Sequence, residues 1–146
     1  MDSVRYVDVF SGTPFKGNAL AVFHGADGLS DEQMADIARW TNLSETTFLM
    51  TPTDPAADYA VRIWTTGGEL PFAGHPTLGS AHAWLEAGGV PAREAAVVQQ
   101  CAAGLVTVRR GDRLAFAAPP LMRSGPVEQS EAQALVAALG LDPEDV

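Results

Sequence analysis

The sequence holds a single cysteine, Cys101, among 146 residues. One thiol excludes an internal disulfide, and with no second cysteine or neighbouring histidine it excludes a thiolate metal site. In "VVQQCAAG" Cys101 reads as a buried strand residue. Basic residues are scarce as well: 9 Lys and Arg against 18 Asp and Glu give a formal charge of −9. No stretch gathers cations into a stripe, which argues against nucleic acid or any polyphosphate as a partner. Long apolar runs are absent too. "ALAVF" and "EAAVV" fall far short of the roughly 20 residues of a membrane-spanning helix, and "MDSVRYVDVF" has no signal-peptide pattern. A soluble, cytoplasmic protein with no membrane partner is expected. The three histidines, His24, His75 and His82, offer no ligand spacing, so no metal site is expected either.

What is present is the apolar content of an ordinary domain, 47% of the residues, enough to bury a core. "VRYVDVFSG" and "NALAVFHG" are strand-like, with "TPFKG" as the turn between them. In "LSDEQMADIARWTN" Ser30 and Gln33 have the spacing of a capping box, and Met34, Ile37, Ala38 and Thr41 share one helical face. "ETTFLMT" and "DYAVRIWT" are strands separated by the loop "PTDPAAD", the second alternating Tyr59, Val61 and Ile63 against Ala60, Arg62 and Trp64. A second helix is predicted from about Pro76 to Ala87, stopped by Gly88-Gly89. "AAVVQQCA", "GLVTVRR" and "RLAFAAP" are further strands, the last two joined at Arg110-Gly111-Asp112. After the connector "PPLMRSGPVEQ", Ser130 and Gln133 repeat the capping-box spacing ahead of Leu135, Val136, Leu139 and Gly140. An isolated helix is marginal without tertiary contacts. This last segment therefore reads as the start of a unit completed by something else.

The chemistry-bearing stretch is "GGELPFAGHPTLGSAHAW". With His75 at the cap and Pro76 at the first helical position, the leading N–H groups have no intrahelical partner and carry the positive end of the helix dipole. Such an end attracts a carboxylate or an enolate oxygen, and the small residues Ala73 and Gly74 let a ligand approach the backbone. A tight turn with no ligand explains the same residues, and His75 can equally be a packing residue. Glu45 in "NLSETTFLM" leads into an apolar strand, where desolvation can prepare a carboxylate for proton abstraction. An exposed strand-start glutamate is the alternative, and Glu69 in "GGEL" carries the same ambiguity. Lys16 and Asn18 in "PFKGNAL" sit on a turn, serving its own backbone or facing a small anion.

Taken together, "VDVFSGTPFKGNALAVF", "NLSETTFLM" and "RIWTTGGELPFAGHPTLGSAHAW" resemble, in this order and spacing, the first half of the phenazine-biosynthesis isomerase family (PhzF-like), whose fold is shared with diaminopimelate epimerase. The resemblance runs over about residues 5–120. It implies an α+β fold of two similar domains, each a curved mixed sheet around a central helix, with the active site in the cleft between them. Residues 1–120 would be the N-terminal domain, and 121–146 the connector and first helix of an incomplete second one. It further implies cofactor-independent isomerisation of a small carboxylate-bearing metabolite by a proton shuttle, the reference reaction being that of a dihydro-hydroxyanthranilate. Glu45, which would move the proton, and His75 would be catalytic, and Gly74, Ala73, Asn18 and Ser44 would bind the substrate. The family's second domain, with an acidic residue facing Glu45, has no counterpart in these residues. A longer chain, a separate C-terminal subunit or a homodimer are the expected ways to complete the cleft. A non-catalytic module that binds a small acid or pairs with another chain is the alternative.

Overall fold

The structure is a computed structural model and describes residues 1–117 and 124–142. Its strands are β1 (Ser3–Val9), β2 (Asn18–His24), β3 (Glu45–Met50), β4 (Tyr59–Thr65), β5 (Gly68–Leu70), β6 (Ala96–Cys101), β7 (Gly104–Arg109) and β8 (Ala115–Phe116). The helices are α1 (Asp31–Thr41), α2 (Gly74–Glu86) and α3 (Gln129–Leu139). The strands form one mixed sheet in the order β1-β2-β3-β4-β6-β7-β8, with β5 paired to β4 off this path. The pairs β2–β3 and β4–β6 are parallel and the remaining pairs antiparallel. A parallel pair needs a crossover, and α1 and α2 are those two crossovers.

The two helices take opposite faces of the sheet, which the period-2 alternation of the strands makes possible. On β2, Leu20 and Val22 join a core with Leu49, Tyr59, Val61, Ile63 and Val97 against Ala83 of α2. Ala21 and Phe23 join Phe48 and Trp64 beneath Met34 and Ala38 of α1. The helix α2 meets β1, β2, β3, β6 and β7, so the sheet curls around it. This is the α+β architecture with a curved sheet about a central helix that the sequence resemblance implies. Close approach depends on Gly79: a Cβ there would lie 2.6 Å from Leu20 Cδ2 and 2.9 Å from Val9 Cγ2.

The helix α1 is built as expected. Ser30 Oγ accepts from Gln33 N and the Gln33 side chain accepts from Ser30 N, while Met34 and Ala38 are buried. The second Ser-x-x-Gln behaves differently. The helix α3 starts at Gln129 with Glu128 as its N-cap, no side chain caps it, and none of its residues is buried. The backbone is already helical at Ser130, since Ala132 N bonds Glu128 O, so the serine cannot serve as a cap. The expected strand "RLAFAAP" is reduced to Ala115–Phe116, paired with β7 across the predicted turn; Ala118 and Pro119 lie outside the described residues, as do the first part of the connector and the closing Pro143–Val146.

Candidate functional site

The N-terminus of α2 starts two residues earlier than its sequence predicts. Its N-cap is Ala73, in extended conformation, and His75 and Pro76 are the second and third helical residues rather than cap and first residue. The first i→i−4 bond runs from Thr77 N to Ala73 O. Proline fits anywhere in the first turn, because none of those N–H groups has an intrahelical acceptor, so its position does not fix the helix start. Ala73 has no side-chain oxygen to offer, and the N–H groups of Gly74 and His75 are left uncapped. The side-chain-less face of Gly74 is bounded by Phe116, whose Cζ would stand 3.2 Å from an added Cβ. Phe116 in turn packs edge-on against Phe72 at 5.5 Å.

His75, Glu45, Asn18 and Ser44 meet at one point. Glu45 opens β3 on the face it shares with Thr47 and Leu49, the face that looks at α2. Its Oε2 lies 3.3 Å from His75 Nδ1 and accepts no hydrogen bond among the described residues. Asn18 Nδ2 lies 3.3 Å from the same nitrogen, and Ser44 Oγ donates to Asn18 Oδ1 at 3.0 Å. In this arrangement the Asn18 NH2 faces Nδ1, which is consistent with a neutral ring that accepts there and carries its proton on Nε2. Nε2 has no partner among the described residues. Burial lowers the His75 pKa, with the Glu45 charge and the Ala19 backbone acting in the opposite sense, so the neutral ring is favoured. The point is secluded but not sealed: His75 is 7% exposed and Glu45 17%.

Buried polar bonds that sequence reasoning missed fix this geometry. Ser80 Oγ of α2 donates to Thr47 Oγ1 of β3 at 3.0 Å, two residues from Glu45. Tyr59 Oη donates to Gln99 Oε1 at 3.0 Å, Gln99 Nε2 donates to Thr77 Oγ1 at 3.1 Å, and Thr77 Oγ1 donates to the Ala73 carbonyl at 2.9 Å. The two sets tie the helix to the sheet beside Glu45 and at its own N-cap. The available signal was a glutamine inside the apolar run "AVVQQC".

Other candidates fall elsewhere. Glu69 makes a bidentate pair with Arg62, at 2.7 and 2.6 Å, and Arg62 also reaches Asp31 and lies over the Trp64 ring. It is a structural ion pair away from His75. Lys16 is exposed on the loop between β1 and β2. Cys101 is half-buried, with Sγ donating to Gly104 O. Among the described residues no group of three or more metal-ligating side chains gathers, and no helix is long and apolar enough to cross a membrane. A groove of about 710 Å³ is lined by Phe10, Leu78, His82 and Arg113 among others, and by none of Glu45, His75, Asn18 and Ser44.

The chain is similar to known proteins. An uncharacterized isomerase of Mesorhizobium japonicum is 41% identical over 142 residues, 95% of this chain and 47% of that protein. The trans-2,3-dihydro-3-hydroxyanthranilate isomerase of Pseudomonas chlororaphis is 52% identical over 75 residues, 51% of this chain and 27% of that protein. The crystal structure of the Bacillus anthracis phenazine biosynthesis protein of the PhzF family superposes with a TM-score of 0.67 at 31% identity, covering 74% of this chain and 35% of that one. The chain thus spans half or less of the length of these relatives. Residues 7–141 match the PhzC-PhzF family, phenazine biosynthesis-like proteins, and the chain belongs to that family.

Proposed function

We propose that the chain carries the proton-shuttling half of a cofactor-independent isomerase or epimerase acting on a small unsaturated or amino carboxylic acid. The observation that carries this reading is the unpartnered Glu45 oxygen 3.3 Å from His75 at the uncapped N-terminus of α2. Glu45 takes a proton from a carbon conjugated to the substrate's carboxylate and returns it at another carbon. The electron pair of the broken C–H bond moves into the conjugated system and onto oxygen, then back to carbon, so atoms and electrons balance with no oxidant or reductant. The Gly74 and His75 amides stabilise the oxygen while it carries charge, an electrostatic contribution preorganised by the helix. His75 Nε2–H, buried and unpartnered, is a further donor toward it. Asn18 and Ser44 hold the imidazole in that tautomer. The dihydro-hydroxyanthranilate isomerisation named for the Pseudomonas relative is the reference reaction. Rapid turnover needs the rest of the cleft, supplied by the remainder of a longer chain, a separate subunit or a second copy, to exclude water and add the opposing acid.

Solvent exchange tests the half-reaction this chain can perform by itself. In D2O the chain is expected to wash deuterium into trans-2,3-dihydro-3-hydroxyanthranilate, read by mass spectrometry, and Glu45→Gln to slow exchange by about 10²–10⁴-fold. Equal exchange by both proteins refutes the proposal.

A further inference from the structure

The loop between β1 and β2 holds an aromatic residue in an unfavourable conformation beside the site. Phe10 has φ 71°, in the left-handed region that bulky side chains rarely adopt, and it is 72% exposed. Burial in a core therefore does not compensate this backbone strain. The loop has fixed ends: Val9 pairs with Asn18, and the Asp8 carboxylate accepts the N–H groups of Lys16 at 3.3 Å and Gly17 at 2.9 Å. Ser11 Oγ closes a further turn with Thr13. So anchored, the loop sets the Phe10 ring 6.2 Å from the His75 ring at 55°, and Phe10 also lines the groove that Leu78 and His82 of α2 line further along the helix. Strain of this kind persists where the surrounding structure imposes it, and it concentrates at ligand sites.

We propose that Phe10 is a specificity-determining residue: its ring forms one wall of the substrate site and favours acids whose carboxylate is carried on a planar, unsaturated ring. This rests on the proposed function, because His75 and the α2 N-terminus must hold the anionic end for the Phe10 ring to meet the remainder of the ligand. An offset aromatic contact favours a flat π-system over a puckered saturated ring by about two- to tenfold in affinity. The saturated analogue keeps the carboxylate contacts and loses the face-to-face area.

The test is a pair of ligands titrated into ¹⁵N-labelled chain, with the Gly74 and His75 amide resonances as readout. The probes are 3-hydroxyanthranilate and cis-2-aminocyclohexanecarboxylate. Wild type should bind the planar acid about two- to tenfold more tightly, Phe10→Tyr should retain that preference, and Phe10→Gly should lose it. Glycine adopts φ 71° without strain, so Phe10→Gly should melt no lower than wild type. A Phe10→Gly chain that keeps the preference overturns the proposal, as does one that melts several degrees lower, which would make Phe10 a structural residue. Equal binding of both acids by wild type overturns the role of Phe10 and leaves the anion site standing. Amides that respond to neither acid remove the anion site, and both readings with it.

Discussion

Replacing Gln99 by leucine isolates the buried bond network that positions the site. Gln99, Tyr59 and Thr77 are all fully buried. Burial, with the Cys101 and Asp58 charges adding to it, pushes the Tyr59 phenol far above the ordinary tyrosine range, so it stays a hydrogen-bond donor at any pH where the protein is folded. Leucine nearly matches the glutamine in volume, so little cavity forms. What the variant loses is the acceptor 3.0 Å from Tyr59 Oη. Thr77 keeps its bond to the Ala73 carbonyl and loses only an incoming donor. One buried hydroxyl left without a partner costs about 1–3 kcal/mol, which for a domain of this size lowers Tm by roughly 3–10 °C.

The double variant decides between this account and plain loss of packing. Tyr59→Phe removes the hydroxyl and keeps the ring stacked on Trp84, 5.6 Å between centroids. Removing both partners of a buried bond is close to neutral, so Tyr59→Phe with Gln99→Leu should be more stable than Gln99→Leu alone, with a coupling of about 1 kcal/mol or more. Urea unfolding followed by tryptophan fluorescence and far-UV circular dichroism measures all four corners of the cycle. Additive losses in the double variant would refute the assignment of this network as the tie that holds the α2 N-terminus.

Two further outcomes follow from the same geometry. Gly79→Ala sets helix propensity against close packing: an exposed helical site gains roughly 0.5–1 kcal/mol from alanine, but a Cβ 2.6 Å from Leu20 Cδ2 should overpack the interface and cost about 1–3 kcal/mol net; a stabilised Gly79→Ala protein would refute the tight seating of α2. His24 and His75 both have lowered pKa values, caused first by burial. Unfolded histidine takes up its proton near 6.5 and these two do so only at lower pH, so the unfolded state binds more protons in that window. Stability attributable to them is therefore present above about pH 6.5 and declines as pH falls below it; His24→Gln should flatten that decline in urea titrations between about pH 7 and 5, and an unchanged slope would refute it.

The two glutamates weighed from the sequence show how far local pattern reaches. Glu45 and Glu69 both stand at strand starts, Glu69 with the weaker apolar flanks, and strand pairing gives them different surroundings. Leu20↔Glu45 register puts Glu45 on the face that α2 covers, whereas the β4–β5 hairpin puts Glu69 within bidentate reach of Arg62. Neither register is written in the flanking residues. The motif order singled out Glu45, Asn18, Ser44 and His75 as candidates, and the structure brings these four to one point. The same limit appears in Ser30 and Ser130, which share the Ser-x-x-Gln spacing. Met34 and Ala38 of α1 are buried against the sheet, while α3 has no fully buried residue and starts ahead of its serine. Local signals thus specify an element where tertiary contacts agree with them. Phe10 and Gln99 lay beyond reach for opposite reasons: one depends on a backbone dihedral imposed by the loop's anchors, the other on partners 22 and 40 residues away. Both meet the first turn of α2, Gln99 through its bond to Thr77 and Phe10 through its ring beside that of His75. A glutamine in an apolar strand and an exposed, strained phenylalanine each break a local rule, and each does so next to the residues proposed to carry the chemistry.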